Sequence, residues 1–162
     1  MTWSIEEWNE KAFMRWAGLR VLSAEAGVAV LELAVQDHHR GGGGTRAVNG
    51  AILAYMHDVV QGVAISSLVG PEVLRMATLN LAVDYPRLLV CEERALVEAR
   101  VLRLGATIAF CDSEFRDAGG NVCSRCHGTY QVKRTRPSAE LGIPPADAFA
   151  PASRLSPPTS ED

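Results

Sequence analysis

The chain has 162 residues, a length typical of one domain with enough apolar side chains to build a core. Its apolar fraction of 48% and charged fraction of 22% are those of an ordinary globular protein, and its net charge of −3 argues against a nucleic-acid-binding surface. The first residues, MTWSIEEWNE, lack the basic and then apolar pattern of an export signal, so we expect a soluble cytoplasmic protein whose four cysteines are reduced.

An amphipathic helix over residues 4–17 is the first predicted element. Ser4 and Glu7 have the spacing of a capping box, and Trp8 and Trp16 fall on one face of the helix. This helix is expected to pack against the body of the protein or against a neighbouring subunit.

Two strands and a long apolar helix are predicted next. The first strand begins at Leu19, and the second covers 29–35, where apolar residues alternate. After the glycine run Gly41–Gly44, the segment up to Leu68 is apolar on nearly every side, and Gly70-Pro71 is predicted to end the helix. A helix that is apolar all round is usually buried, so this segment is the predicted centre of the core.

The middle of this helix carries one carboxylate. Asp58 is the only residue with a formal charge between Arg46 and Glu72. Burying a lone carboxylate is costly unless it is paired or hydrogen-bonded, and the sequence favours a catalytic and a structural role equally. Gln61, three residues later, is predicted to share the Asp58 face and to hydrogen-bond the carboxylate. Polar residues at this depth also argue against a membrane-spanning helix.

The helix is predicted to begin at Asn49-Gly50. Backbone N–H groups at a helix N-terminus lack partners and carry the positive end of the helix dipole, and a glycine there lets a ligand come close. Such an amide suits the polarisation of a carbonyl oxygen that becomes negative in a transition state. The alternative is simple N-capping by Asn49. The preceding glycines are not a nucleotide-binding loop, because no Gly-Lys-Ser/Thr follows.

Four strand-like runs follow the helix, over 73–85, 94–104, 107–116 and 122–134. In the first run, Leu79, Leu81 and Val83 are predicted on one face, and Thr78 and Asn80 on the other. One buried helix and about six strands in hairpins predict an α+β fold in which a curved antiparallel sheet wraps around the helix. An open edge strand favours pairing with a second subunit.

The composition changes near the C-terminal end. Six of the eight prolines lie between Pro137 and Pro158, among serine, alanine and acidic residues. Such a segment cannot bury enough apolar surface to fold alone. We therefore predict a single domain over 1–136 and a Pro-rich tail over 137–162.

Cysteine and histidine patterns raise the question of metal or haem binding. Cys123, Cys126 and His127 have the CxxCH spacing of c-type haem attachment. They lie in a predicted strand, however, where residues three apart point to opposite faces. The adjacent His38 and His39 of a loop rarely have chelating geometry. No metal and no cofactor are therefore predicted.

The order of elements and two motifs resemble the phenylacetic-acid-pathway (PaaI-like) acyl-CoA thioesterases, which have the hotdog fold. The segment VNGAILAYMHDVVQGVA keeps the family's spacing from the helix start to the acid, here Asp58, and to a Gly-Ala step, here Gly62-Val63-Ala64. The segment ATLNLAVDYPR is similar to a family strand that carries Ser or Thr and ends in Tyr. The resemblance covers roughly residues 10–135.

The resemblance implies hydrolysis of acyl-CoA at a site across a dimer interface. Asp58 would act as the nucleophile or as the base that activates water, the Gly50 N–H would polarise the thioester carbonyl, and Thr78 would hold the water or the acid. The chain would form at least a homodimer and could form a dimer of dimers. CoA would lie between subunits with its phosphates near basic side chains. The predicted substrate-binding residues are Gln61, Asn80, Arg103 and Lys133.

Two departures from the family pattern leave other functions open. The family's His is Asn49 here, and the Asn often found six residues earlier is Gly43. A hotdog protein that binds acyl-CoA without hydrolysing it is the main alternative. A hydratase is less favoured, because His57 lies about 100° around the helix from Asp58 and faces elsewhere.

Overall fold

The structure is a computed structural model that describes residues 4–41, 44–70 and 73–134. The helices are α1 (Ile5–Asn9), α2 (Ala12–Trp16) and α3 (Gly50–Ser66), with one 3-10 turn at Asp37–His39. The strands are β1 (Leu19–Glu25), β2 (Val28–Ala34), β3 (Val73–Asp84), β4 (Arg94–Leu104), β5 (Ile108–Arg116) and β6 (Val122–Arg134). The predicted tail and Gly43 lie outside the described residues.

The six strands form one antiparallel sheet in the order β1-β2-β4-β5-β6-β3. Every second residue of the central strands is buried, and side chains such as Val97, Ala99 and Phe115 pack with apolar residues of α3 in one core. Helix α3 connects β2 to β3, which pairs with β6 at the edge of the sheet. The predicted α+β arrangement, a six-stranded antiparallel sheet around one long helix, is confirmed.

Helix α3 begins where the sequence predicts and ends earlier than predicted. The Asn49 side chain caps the helix by accepting a hydrogen bond from the Ala51 N–H at 2.8 Å. The helix ends at Ser66 rather than at Gly70, and Ser67 is the C-cap. The Ser67 hydroxyl donates to the Ala64 carbonyl and accepts from the Gly27 N–H, both at 2.8 Å, so it joins the helix end to the β1–β2 turn. No local pattern in the sequence indicates this tertiary contact.

The single N-terminal helix predicted over 4–17 is wrong, because the segment forms two short helices. Lys11, between α1 and α2, has an extended backbone with φ −63° and ψ 136°. The Asn9 side chain explains the break: it accepts from the Val21 N–H at 2.8 Å and donates to the Val21 carbonyl at 3.3 Å. These two bonds hold the end of α1 against β1 and prevent a continuous helix.

A bulge in β3 overturns the predicted alternation of that strand. In the pairing with β6, Thr78 lies opposite Tyr130 and Asn80 lies opposite Thr129, which leaves Leu79 as the extra residue. A bulge shifts the side-chain alternation by one position. Leu79 is therefore 55% exposed and does not share the face of the half-buried Leu81. Thr78 faces α3 instead.

In the described part of the chain, no helix is both long enough and apolar enough to cross a membrane.

Candidate active site

The Asp58 carboxylate lies on α3 where the helix meets β3 and β6. Its Oδ1 accepts a hydrogen bond from the Thr78 hydroxyl at 2.6 Å and another from the Tyr130 hydroxyl at 3.1 Å. The Tyr130 hydroxyl also lies 3.2 Å from the Asp58 backbone carbonyl. The second carboxylate oxygen, Oδ2, has no hydrogen-bond partner among the residues that the structure describes. One oxygen is thus held in place, and the other is available to a ligand.

Tyr130 serves this carboxylate as a hydrogen-bond donor. Burial, and then the negative charge of Asp58, raise the pKa of Tyr130 far above its usual value. The phenol therefore stays protonated at any physiological pH. Tyr130 is only 2% exposed, and its protonated hydroxyl fixes the orientation of the acid without competing with it for a proton.

A groove of about 280 Å³ opens beside Asp58. Its polar end carries Asp58, Thr78 and Tyr130. Its apolar remainder is formed by α3, by β3 and by the two N-terminal helices, with the lining residues Trp8, Phe13, Tyr55, Val59, Gly62 and Met76. This volume lies just below the usual range for ligand pockets, which run from ~300 to ~1,000 Å³. A small apolar group with a reactive polar end therefore fits the groove.

The start of α3 presents a backbone amide. Gly50 is the first helical residue, and its N–H has no hydrogen-bond partner in the described part of the chain. The Tyr85 hydroxyl donates to the Gly50 carbonyl at 2.8 Å, and the Tyr85 ring lies 3.4 Å from the position a Cβ would take on Gly50. A Cβ at this position would meet the ring at ordinary van der Waals distance, so the helix start has room for a small side chain.

Gly50 and Asp58 do not meet within one chain. Eight residues separate them on the same helix, a distance of ~12 Å at 1.5 Å per residue. A reacting carbonyl cannot contact both groups at once over that distance. If the two act together, they must come from two copies of the chain.

The prediction that Gln61 bonds Asp58 is wrong. Gln61 is fully buried, and its Nε2 donates to the Ser113 hydroxyl at 2.7 Å and to the Cys126 carbonyl at 3.2 Å. Polar partners on β5 and β6 hold this side chain, and the spacing along α3 does not reveal them. Gln61 does not line the groove.

His57 belongs to the same buried cluster as Gln61. Its Nδ1 lies 2.7 Å from the Ser113 hydroxyl and its Nε2 lies 2.8 Å from the Ser124 hydroxyl. Since Ser113 accepts from Gln61, it can donate to Nδ1, which leaves the Nε2–H to donate to Ser124. Burial lowers the pKa of His57 to about 4. The histidine is neutral and faces away from Asp58, as predicted.

The other predicted substrate-binding residues lie away from Asp58. Asn80 pairs with Thr129, which alternates with the buried Tyr130, so Asn80 lies on the outer face of the sheet. Arg103 is exposed at a bulge near the end of β4. Lys133 lies near the end of β6, opposite Arg75 of β3. Their roles toward a phosphorylated ligand remain predictions.

The CxxCH segment is part of the sheet. Cys123 and Cys126 are buried free thiols, and burial raises the pKa of Cys126 to about 11. His127 lies outside and bonds the Asp112 carboxylate at 2.8 Å. Within the described ranges, no group of three or more His, Cys, Asp or Glu side chains could hold a metal ion.

Tyr130 and Tyr85 are the two site residues that the sequence did not identify. Tyr85 is the tyrosine of the ATLNLAVDYPR motif, so its position was a usable signal. Tyr130 had no such signal, because its contact with Asp58 depends on the register between β3 and β6.

Residues 46–124 match the profile of the Thioesterase superfamily. The chain is 26% identical over 139 residues to SSO2140 of Saccharolobus solfataricus, a provisionally named esterase, and the match covers 85% of this chain and 96% of that protein. The conserved protein PA5202 from Pseudomonas aeruginosa is 28% identical, with a TM-score of 0.71 over 80% of this chain and 100% of that one. The E. coli PaaI protein from the phenylacetic acid degradation operon is 17% identical, with a TM-score of 0.68 over 79% of this chain and 88% of that one. These matches confirm the resemblance and the fold that the sequence predicts.

Proposed function

We propose that this chain, of which residues 46–124 match the Thioesterase superfamily and which has the hotdog fold, hydrolyses acyl-CoA thioesters to a free acid and CoA. The observation that carries this proposal is the asymmetry of Asp58. Asp58 lines the groove, Thr78 and Tyr130 both donate to its Oδ1, and its Oδ2 has no partner among the described residues. A carboxylate that is held at one oxygen and free at the other suits a base or a nucleophile.

Two routes lead from this geometry to the same products. In the first, Oδ2 takes a proton from a water molecule as the water oxygen attacks the thioester carbonyl. In the second, Oδ2 attacks the carbonyl itself, the C–S bond breaks, and water then opens the mixed anhydride. In both routes the sulfur leaves as the CoA thiolate, which takes up a proton, and the acyl carbon ends as a carboxylate. The role of Asp58 as base or nucleophile stays open between them.

The negative carbonyl oxygen of the intermediate needs a hydrogen-bond donor. We assign this role to the Gly50 N–H at the start of α3, where the positive end of the helix dipole adds to the effect. Because the separation along α3 keeps Gly50 away from Asp58 of the same chain, the donor would come from a second copy. The proposed site is therefore composite, with two equivalent sites in a homodimer.

The edge of the sheet supplies a place for that second copy. Among the strands that the structure describes, β3 pairs with β6 alone, and it carries Thr78 of the site. Its open side also presents exposed apolar residues, with Leu74 at 56% and Leu79 at 55% exposure. Pairing of β3 with a second copy would cover this edge and bring two sites together. Association of two dimers remains a prediction from the sequence.

Binding of acyl-CoA without hydrolysis is the second candidate function. The observation that favours it is Asn49, which replaces the family's histidine and uses its Oδ1 to cap α3. Asn49 cannot exchange a proton with a substrate. Hydrolysis remains the better-supported function because neither Asp58 nor the Gly50 amide depends on that side chain.

A panel of acyl-CoA thioesters with a free-thiol assay separates the two candidates. Release of CoA thiol by the wild-type protein, and its loss in Asp58→Asn, is the result expected for hydrolysis. Thermal stabilisation by acyl-CoA without thiol release would support binding alone. Absence of both effects across the panel would overturn the acyl-CoA proposal.

A further inference from the structure

Gly62 is an unusual residue for the middle of a buried helix. Glycine destabilises a helix interior relative to alanine. Outside its own helix and among the described residues, no atom lies within 4 Å of the position that a Cβ would take on Gly62, and its backbone is not in the left-handed region. Neither packing nor backbone conformation therefore requires glycine at this position. The space above it is simply left open.

That open space belongs to the groove that contains Asp58. Gly62 follows Asp58 by four residues, which places both on the same face of α3. Both line the groove of about 280 Å³. A side chain at position 62 would project into the groove one helical turn from the carboxylate. The missing side chain thus keeps the floor of the groove open next to the proposed reaction centre.

The walls over Gly62 are apolar and come from the N-terminal helices and β3. The rings of Trp8 and Phe13 meet edge to face with centroids 6.0 Å apart, and Met76 of β3 lies across from them. Trp8 packs against the main core, and Asn9 beside it is tied to Val21 by two hydrogen bonds. Trp8 is therefore held by the body of the protein, whereas Phe13 is 40% exposed.

Trp8 also marks the far limit of the groove. Together with Met76 it lines a second groove of about 280 Å³, which continues toward Ser66 and Lys11. The side chains of Trp8 and Met76 lie between the two spaces. Removal of the Trp8 ring would join them into one longer channel.

We propose that the groove over Gly62 is the subsite for the acyl group of the substrate, with Gly62 keeping its floor open and Trp8 limiting its depth. This inference rests on the proposed thioester hydrolysis and names the substrate class as compact apolar acyl groups rather than long fatty acyl chains. The acyl carbonyl lies at the Asp58 end, and the apolar part lies over Gly62 against Trp8 and Phe13.

Two substitutions test the subsite in opposite directions. Gly62→Leu fills the groove, so kcat/KM for hexanoyl-CoA should fall at least a hundredfold, while acetyl-CoA, which barely enters, should lose less than fivefold. Trp8→Ala opens the second groove, so the preferred acyl length should shift toward decanoyl-CoA.

Gly62→Ala should raise Tm by a few degrees, because alanine favours the helix and meets no neighbour, and should still weaken hydrolysis of the longer acyl groups. Ala118→Leu, at an exposed turn, is the small-to-large control and should leave the profile unchanged.

A binding measurement keeps this test separate from the test of hydrolysis. S-alkyl-CoA thioethers cannot be hydrolysed, and their affinity by calorimetry should rise with alkyl length in the wild type and lose that dependence in Gly62→Leu. If the wild type hydrolyses no thioester, the proposed function fails, and the thioether profile still decides the subsite. A folded Gly62→Leu protein that keeps the wild-type dependence on acyl and alkyl length, or that loses every substrate equally, would overturn the inference.

Discussion

Two neighbouring residues of α3, His57 and Asp58, occupy opposite environments. His57 faces the core, where both ring nitrogens have hydroxyl partners and its side chain is fully buried. Asp58 faces a groove, where one oxygen has two donors and the other has no partner among the described residues. A polar group whose bonding capacity is used up inside the protein holds the fold together. A group with half of its capacity left open can act on a ligand.

The largest expected effect follows from changing the open carboxylate. Asp58→Asn keeps the shape of the side chain and can still accept from Thr78 and Tyr130, but it cannot take a proton or attack a carbonyl. We expect kcat for acyl-CoA hydrolysis to fall at least about a hundredfold, as for removal of a general base. Asp112→Asn, an exposed carboxylate on the outer face, is the matched control. Comparable activity in both variants would remove Asp58 from the mechanism.

We call the buried residues His57, Gln61, Ser113 and Ser124 the closed cluster. This cluster predicts a pH effect on stability rather than on chemistry. Burial lowers the pKa of His57 from 6.5 to about 4, so the unfolded chain binds the proton more readily than the folded protein. The contribution of His57 is complete above pH 6.5 and is lost as the pH falls toward 4, which amounts to about 3 kcal/mol. Urea unfolding between pH 7 and pH 4 measures this loss.

His57→Gln should remove most of that pH dependence, and the remainder belongs to His39, whose pKa is also lowered by burial and then by the neighbouring His38 and Arg40. The test compares the change in the free energy of unfolding between pH 7 and pH 4 in the wild type and in His57→Gln. A difference of well under 1 kcal/mol between the two proteins would contradict the assignment.

A third change tests how tightly the closed cluster is packed. A side chain on Gly128 would overlap the Oε1 of Gln61, which lies in the space above the glycine. We expect Gly128→Ala to destabilise the protein by about 1–3 kcal/mol through overpacking. Denaturant unfolding measures this cost, and the double variant Gly128→Ala with Gln61→Ala should recover part of it. An unchanged unfolding midpoint would show that the cluster has room to spare.

The smallest expected effect concerns the donors that hold Asp58. Tyr130→Phe removes one hydrogen bond to Oδ1 and keeps the ring and the Thr78 bond, so kcat should fall roughly tenfold, in line with the low end of the ~1.5–3 kcal/mol of a hydrogen bond to a charged group. KM should change little, because the ring still lines the groove. Thr78→Ser, which retains its hydroxyl, should stay near wild-type activity and Thr78→Val should not. A Tyr130→Phe variant with full kcat would limit the tyrosine to packing.

The sequence predicts most of the fold because its signals are local. The alternating runs, the Asn49 cap and the apolar helix each depend on residues close together in the chain. Asp58 was identified for the same reason, as a lone charge in an apolar segment. The predictions are wrong where residues on distant strands decide the side-chain contacts. Gln61, for example, bonds Ser113 of β5 and not Asp58.

Two further features depended on contacts that no local pattern encodes. The bulge at Leu79 follows from the register between β3 and β6, and it is this bulge that turns Thr78 toward Asp58. The break between α1 and α2 follows from the bonds between Asn9 and Val21. In each case a tertiary hydrogen bond overrides a periodic signal of the sequence.

The composite site is the central claim, and complementation between two inactive variants tests it directly. Gly50→Pro removes the amide donor at a helix position where proline is tolerated, and Asp58→Asn removes the acid. Each variant alone should be inactive. In a mixed dimer, one of the two sites combines an intact Asp58 with an intact Gly50 from the other chain. Equal co-expression should therefore restore about a quarter of wild-type activity, since about half of the dimers are mixed and each has one working site. Mixed dimers, isolated with two different tags, that stay as inactive as either parent would contradict the account.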